Sequence, residues 1–276
     1  MSAPEKKSAG GPLASILALP NDSGKKTIFM AVAVCLVCSV VVASAAVGLR
    51  PLQAANQERD RIRNIVDVAG VAQPGQSAAE AFREKVESML VRLEDGSKSD
   101  EFDVATFDIQ KASKDPSMSR PMPKSEDQAN IKRQPTHMPV YVVRGESGEV
   151  QRLILPVHGA GLWSTLYGFL ALDGDLNTVS GLKFYQHAET PGLGGEVDNP
   201  NWRAIWDGKM IYDDQGNPSI QLVKGSVDAS TPDAEHKIDG LAGATLTSRG
   251  VENLINFWLG EDGYGPFIER LKNERG

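Results

Sequence analysis

Cysteine is almost missing from this chain: the only two, Cys35 and Cys38, sit together in an apolar run near the N-terminus. The remainder therefore cannot form an internal disulfide, and it cannot hold zinc or an iron–sulfur cluster through its own cysteines. On a valine-rich helix the C-x-x-C spacing reads as packing, and a cluster there would need ligands from another chain. Dinucleotide and nucleotide signatures are also missing, with no G-x-G-x-x-G and no GK[ST]. No nucleophile elbow occurs, which removes the hydrolase reading. His137, His158, His187 and His236 are scattered, without the spacing of metal ligands. Positive charge is in the minority. Five of the 29 basic and two of the 36 acidic residues lie in the first fifty, so residues 51–276 carry 24 and 34, a net of −10. Such a body repels phosphate backbones, and no basic stripe with interleaved aromatics offsets it, so nucleic-acid binding is excluded.

The chain does have one long hydrophobic run. Thr27 to Leu49 holds no charged residue, and as a helix it would extend about 35 Å, enough for a bilayer core of about 30 Å. A cleaved signal peptide is the competing reading, because Ala43-Ser44-Ala45 resembles a cleavage site. The run exceeds the usual apolar core of such a signal, which favours an uncleaved anchor. Lys25 and Lys26 before the run are nearly balanced by Arg50, Arg59, Arg61 and Arg63 after it, so charge does not set the orientation.

At 276 residues the chain can hold one sizeable domain with additions, or two small ones. Residues 1–26 read as a loose tail and 27–49 as the transmembrane helix. Ile62, Ile65, Val66 and Ala69 continue a helical pattern as far as Gly70. Ser77 with Glu80 forms a capping box for a second helix, whose buried face would be Phe82, Val86, Met89 and Leu90. Phe102 to Phe107 reads as a strand, and the proline-rich stretch from Gln110 to Pro139 as a helix-free surface excursion. Residues 50–138 are thus expected to be membrane-proximal helices and this polar excursion, and 139–276 the main domain. There, Val140–Val143, Val150–Val157, Thr165–Leu172 and Leu182–His187 are strands separated by glycine turns. Asn201–Trp206 reads as a short helix, and Lys209–Tyr212 and Ile220–Lys224 as further strands. Val251, Leu254, Ile255, Trp258 and Leu259 mark an amphipathic final helix, with Gly260 as its C-cap. The predicted class is α+β: a single N-terminal transmembrane helix, then an antiparallel sheet with flanking helices.

Just before that helix stands Asp239-Gly240-Leu241-Ala242-Gly243-Ala244-Thr245-Leu246-Thr247-Ser248. Small residues allow close backbone approach, and a helix starting near Ser248 would favour an anion at its N-terminus. Thr245, Thr247 and Ser248 all offer a hydroxyl, and the spacing does not choose among them. The plain alternative is a turn in which Thr247 or Ser248 caps the helix.

DGLAGAT resembles the flavinylation motif of the FMN-binding domain family, in which a flavin transferase esterifies FMN to the last threonine. The resemblance implies covalent FMN, one per chain, on Thr245, with Asp239 as the leading acid and Ala242 where that family often has serine. Gly161-Leu162-Trp163-Ser164 and His187-Ala188-Glu189-Thr190-Pro191-Gly192-Leu193-Gly194 resemble two further segments of the family. On this basis Gly240, Ala242, Gly243, Ala244, Leu246, Thr247, Glu189, Thr190, Gly192, Leu193, Gly194, Leu162 and Trp163 are cofactor-binding candidates. Trp163, Leu162, Leu193 and Leu246 would give apolar contact to the ring, and Glu189 and Thr190 polar contacts to its rim or side chain. Both flanks resemble the C-subunit family of Na+-translocating NADH:quinone reductases. That implies an electron carrier without its own NADH or quinone site, partnered by subunits A, B, D, E and F. It would lie in the bacterial inner membrane with its tail cytoplasmic and its domain periplasmic. The alternatives are an Rnf-type G subunit and a non-redox, membrane-anchored binding module.

Overall fold

The computed structural model describes residues 12–274. The chain divides into two compact units, residues 1–59 and 60–276. The tail segment up to residue 11 lies outside the described residues. The first unit holds α1 (Pro12–Leu17) and most of α2 (Gly24–Ala69). Lys26 closes the turn between them, donating to the Leu19 carbonyl and to Asn21 Oδ1, each at 2.9 Å. α2 is long and apolar enough to cross a membrane; its best window has a mean hydropathy of 2.7 and no buried residue. Cys35 and Cys38 are exposed on it. Pro51, which lacks the N–H needed for one rung of the helix, stands just past the apolar run, after Arg50.

The second unit begins with the end of α2, which stops before Gly70 as its pattern predicts, with Ile65, Val66, Val68 and Ala69 buried. Then come α3 (Ala78–Lys85), β1 (Val86–Arg92), β2 (Lys98–Ser99), α4 (Ile109–Lys114), β3 (Ser119–Pro121) and β4 (Arg133–Pro135). The main strands are β5 (His137–Arg144), β6 (Val150–Ala160), β7 (Thr165–Asp173) and β8 (Val179–Gln186). After α5 (Pro200–Ala204), the short β9 (Gln221–Val223) and β10 (Lys237–Asp239) pair in parallel. α6 (Thr245–Leu259) and α7 (Gly265–Asn273) close the fold.

Six strands form one antiparallel sheet in the order β2-β1-β5-β6-β7-β8. Both faces are covered, so its strands are apolar almost throughout. On one face Val140, Val142, Leu153, Leu155 and Leu170 meet Val251, Leu254, Ile255, Trp258 and Leu259 of α6, with Phe267, Ile268 and Leu271 of α7. On the other, Tyr141, Val143, Ile154, Phe169 and Ala171 lie under Ile65, Val68 and Ala69. Beyond Ile154 the β5 side of β6 has no strand partner among the described residues; Trp258 of α6, Tyr264 just before α7 and the Ala129 carbonyl reach it instead. Trp258 donates to the His158 carbonyl at 2.6 Å, and Tyr264 to that of Pro156 at 2.7 Å. Pro156 is tolerated there because no neighbouring strand requires its missing N–H. This rivets α6 to the end of β6.

Several expectations need correction. The Ser77–Glu80 capping box is present, but α3 ends at Lys85. Val86, Met89 and Leu90 belong to β1, because their β-branched and apolar run pairs with β5 from Val86↔Val143 to Arg92↔His137. Phe102–Phe107 is a turn: Asp103 accepts from the Ala105 amide at 2.9 Å, and the two phenyl rings lie 5.9 Å apart. The stretch from Gln110 to Pro139 is not helix-free, since Asp108 caps α4 by accepting from Gln110 and Lys111. Nor is it only surface, since Met122, Ala129 and Gln134 are buried. The Asn201–Trp206 helix is shorter, Pro200–Ala204. Lys209–Tyr212 forms only isolated bridges, from Met210 to Thr178 and Tyr212 to Pro218. β1 lies in the same sheet as β5 to β8, so the sheet draws strands from both sides of residue 138.

Candidate functional site

β6 ends, β7 begins and β8 ends at one edge of the sheet, as the pairs Ala160↔Thr165 and Tyr167↔Gln186 require. Three segments gather there: the 161–164 turn, the 187–195 loop after β8, and the 240–248 run into α6. One side chain joins them. Glu189 is only 5 % exposed. Its Oε1 accepts from the amides of Trp163 (3.0 Å) and Ser164 (3.2 Å) and from Ser164 Oγ (3.2 Å). Its Oε2 accepts from the Leu162 amide (3.1 Å) and from Thr247 Oγ1 (2.7 Å). Burial opposes its ionisation, but the bonds from Thr247, Trp163, Leu162 and Ser164 outweigh burial and hold the carboxyl below its ordinary range. A carboxylate has about four lone-pair sites, so these five donors fill it. All five donors belong to this chain, so the carboxylate acts as an internal clamp.

The glycines beside the clamp are required by space. A Cβ on Gly194 would lie 2.5 Å from Thr247 Oγ1 and 2.8 Å from Glu189 Oε2, and one on Gly161 would lie 2.6 Å from Glu189 Oε1. A second layer supports the loop, and the sequence did not single it out. Ser164 Oγ accepts from the Ala188 amide at 2.8 Å. His187 Nδ1 accepts from the Glu189 amide at 3.2 Å, so its Nε2 carries the proton and donates to Asp198 at 2.8 Å. No local pattern marks Asp198 as that partner, eleven residues away.

The hydroxyls sort clearly. α6 begins at Thr245, one turn earlier than expected, so Thr245 to Ser248 are its first turn. Thr247 is fully buried and committed to Glu189. Ser248 Oγ donates to the Ala244 carbonyl at 3.1 Å and accepts from the Leu241 amide at 2.9 Å. Thr245 is exposed. The N-cap position is Ala244, with no side-chain cap, which overturns the reading of Thr247 or Ser248 as the cap. The Ser248 amide donates to the Ala244 carbonyl at 3.0 Å, while the amides of Thr245, Leu246 and Thr247 precede the first full helical bond, an arrangement that favours a negative charge beside Thr245.

Around this opening the apolar candidates are exposed: Trp163 71 %, Leu246 56 %, Leu162 44 % and Leu193 43 %. Leu193 belongs with the helix start, because its Cδ2 lies 3.0 Å from where Gly243 would carry a Cβ. Thr190 is exposed, and its carbonyl accepts from the amides of Leu193 and Gly195 at 3.1 and 2.9 Å. Gly192 takes a left-handed φ of 75° between them. Asp239 acts through its backbone and carboxylate within the chain: its carbonyl accepts from Trp202 Nε1 at 2.8 Å, and its Oδ1 from the Val227 amide at 2.7 Å. Gly240 donates to the Val223 carbonyl at 2.8 Å. Ala242 and Gly243 are exposed, and Ala244 is buried. The donor set suits a phosphate with an attached planar apolar group, since the first amides of α6 adjoin the exposed Thr245 hydroxyl, and Glu189 ties the turn carrying Trp163 to the same helix start.

Residues 161–260 match the FMN-binding domain family. The chain is 52 % identical over 255 residues to the C subunit of the Na+-translocating NADH-quinone reductase of Pseudomonas aeruginosa, covering 91 % of this chain and 97 % of that one. It is 48 % identical to the C subunit from Yersinia pestis, covering 91 % and 94 %. The crystal structure of Shewanella oneidensis NqrC superposes with a TM-score of 0.73 at 34 % identity, covering 79 % of this chain and 99 % of that one. The chain belongs to the C-subunit family of the Na+-translocating NADH-quinone reductases.

Proposed function

We propose that the chain carries one FMN, esterified through its phosphate to Thr245, and serves as the electron-transferring C subunit of a Na+-translocating NADH:quinone reductase. The observation that carries this reading is the sorting of hydroxyls at α6: Thr245 alone of the three is exposed, and it sits at an uncapped helix N-terminus. FMN, when bound, supplies reversible one- and two-electron chemistry. The chain's residues supply the rest. The Thr245 hydroxyl loses its proton as its oxygen bonds to phosphorus, and the flavin donor's leaving group departs under the flavin transferase. First-turn amides of α6 hold the phosphate charge, with Lys224, exposed just beyond β9, as a further cation. Trp163, Leu162, Leu193 and Leu246 form the seat for an apolar ring. Glycines and small residues at 192, 194 and 242–244 keep the backbone close.

In this reading the carrier relays single electrons between an iron–sulfur centre in the membrane and the FMN of the B subunit, within a complex that also contains the A, D, E and F subunits. Residues 27–49 span the bacterial inner membrane, the tail of residues 1–26 is cytoplasmic, residues 50–138 are membrane-proximal, and the FMN-binding domain of residues 139–276, with the β1 and β2 strands of 50–138 that complete its sheet, is periplasmic.

The test is co-expression of the full chain with a flavin transferase, followed by a denaturing gel viewed under ultraviolet light. The wild type should fluoresce as one flavin band, and Thr245→Val, which keeps the shape without the hydroxyl, should be dark. A fluorescent Thr245→Val band refutes the site, and a dark wild type refutes the covalent reading. Protease added to spheroplasts should cleave the domain and spare the tail if the orientation holds.

A further inference from the structure

We propose that Glu189 is a positioning residue for the flavin seat: its carboxylate clamps the 161–164 turn to the first turn of α6 and withholds the Thr247 hydroxyl from modification. The inference rests on Thr245 as the attachment point. Thr245 and Thr247 stand two residues apart on α6, so about 200° of helix rotation separates them and one faces out while the other faces in. Facing in is not enough to disarm a hydroxyl at a helix start, where a frayed first turn can rotate it outward. A 2.7 Å bond to a carboxylate opposes that rotation.

The same carboxylate receives three consecutive amides, from Leu162, Trp163 and Ser164. It therefore fixes the backbone that presents the exposed Trp163 and Leu162, although Glu189 itself has no acceptor left for a ligand. Neutral glutamine has nearly the same shape, but it offers one acceptor oxygen and turns an NH2 toward donors. At least the donors on one side lose their partner. The carboxylate packs closely on the backbone of Gly161 and Gly194, whose Cβ positions would lie 2.6 and 2.8 Å from its oxygens. The His187–Asp198 pair holds the Glu189 backbone from behind and remains intact in such a variant.

The experiment compares wild type, Glu189→Gln and Thr247→Val as full chains in detergent, co-expressed with a flavin transferase. Peptide mass mapping locates the flavin, visible circular dichroism reports its surroundings, and hydrogen exchange follows the amides of residues 162–164. For Glu189→Gln the expected result is a folded chain with fast exchange at 162–164 and a collapsed visible dichroism. Part of its flavin should be on Thr247. Thr247→Val breaks one of the five bonds and should keep its flavin on Thr245 with a weakened dichroism. Glu189→Gln with all its flavin on Thr245, unchanged dichroism and protected amides overturns the proposal, even if its melting temperature falls. Should Glu189→Gln not fold, Thr247→Val decides, and a wild-type dichroism there overturns it. A wild type without attached flavin refutes the Thr245 reading instead; the clamp is then judged by hydrogen exchange in the unmodified chains.

Discussion

Gly194→Ala adds one methyl group at the most crowded point of the site. The new carbon would stand 2.5 Å from Thr247 Oγ1, 2.8 Å from Glu189 Oε2 and 3.1 Å from Glu189 Cβ. The first two atoms are the partners of a single 2.7 Å hydrogen bond, so moving either away breaks it. Overpacking a filled interior costs about 1–3 kcal/mol, and losing a bond to a charged acceptor about 1.5–3 kcal/mol. Taking values near the lower ends gives a loss of about 3 kcal/mol. For a domain of this size each kcal/mol lowers Tm by about 2–4 °C, so the drop should be about 6–12 °C. Gly192→Ala separates sterics from backbone strain. Gly192 has φ +75° but open space around its Cβ position, so the left-handed residue alone costs about 1–2 kcal/mol. Calorimetry on the two full-length variants in detergent should rank Gly194→Ala as the more damaging. A Gly194→Ala chain melting within about 3 °C of wild type, or above Gly192→Ala, refutes the crowding argument.

Leu254 is fully buried where α6 crosses β6, so Leu254→Ala should cost about 2–5 kcal/mol and lower the urea midpoint without changing the slope. His158 is buried against Tyr167 and Trp258, and burial pushes its pKa from 6.5 down to about 4. Between those values the unfolded chain binds a proton that the folded one refuses, so this group makes stability fall as pH falls through that window, by up to about 3 kcal/mol. His158→Phe keeps a ring and removes the titration. Its stability should therefore fall less than wild type between about pH 7 and about pH 4.5, and equal losses would assign the slope elsewhere.

What was legible in the sequence depended on how local its cause is. The strands β6, β7 and β8 and the buried face of α6 followed from short-range periodicity and came out within a few residues. The Ser77–Glu80 capping box likewise needs only four residues to form. The end of α3 was not legible, because it is set by the pairing of β1 with β5, about fifty residues further on. The burial of Gln134, Met122 and Ala129 was hidden for the same reason, since their neighbours lie in distant elements. At the site, the three segments and their order were legible, but the roles within them were not. Nothing local marks Glu189 as a clamp, because its donors lie 25, 26, 27 and 58 residues away. The choice among three hydroxyls needed burial, which spacing alone does not supply.

The openness of the seat bears on why a covalent link would be used. Ligand sites that hold a cofactor by contact alone bury most of its surface in a concave, largely apolar cavity. Here the four apolar side chains at the helix start are each more than two-fifths exposed, and the tryptophan is mostly so. Such a platform touches a planar ring on one side and leaves the other to solvent or a partner. Binding by half a surface is weak, and a weakly held carrier is lost between encounters. The proposed ester at Thr245 would raise the local concentration of the ring at its own platform to that of an intramolecular partner, leaving the exposed face available for electron exchange. On this argument, covering Trp163 more fully would trade accessibility for affinity. With the flavin seated as proposed, Trp163→Ala should leave it attached while making it more fluorescent, since the proposed indole contact is removed. Loss of attachment in that variant would show instead that the platform is needed for the transfer itself.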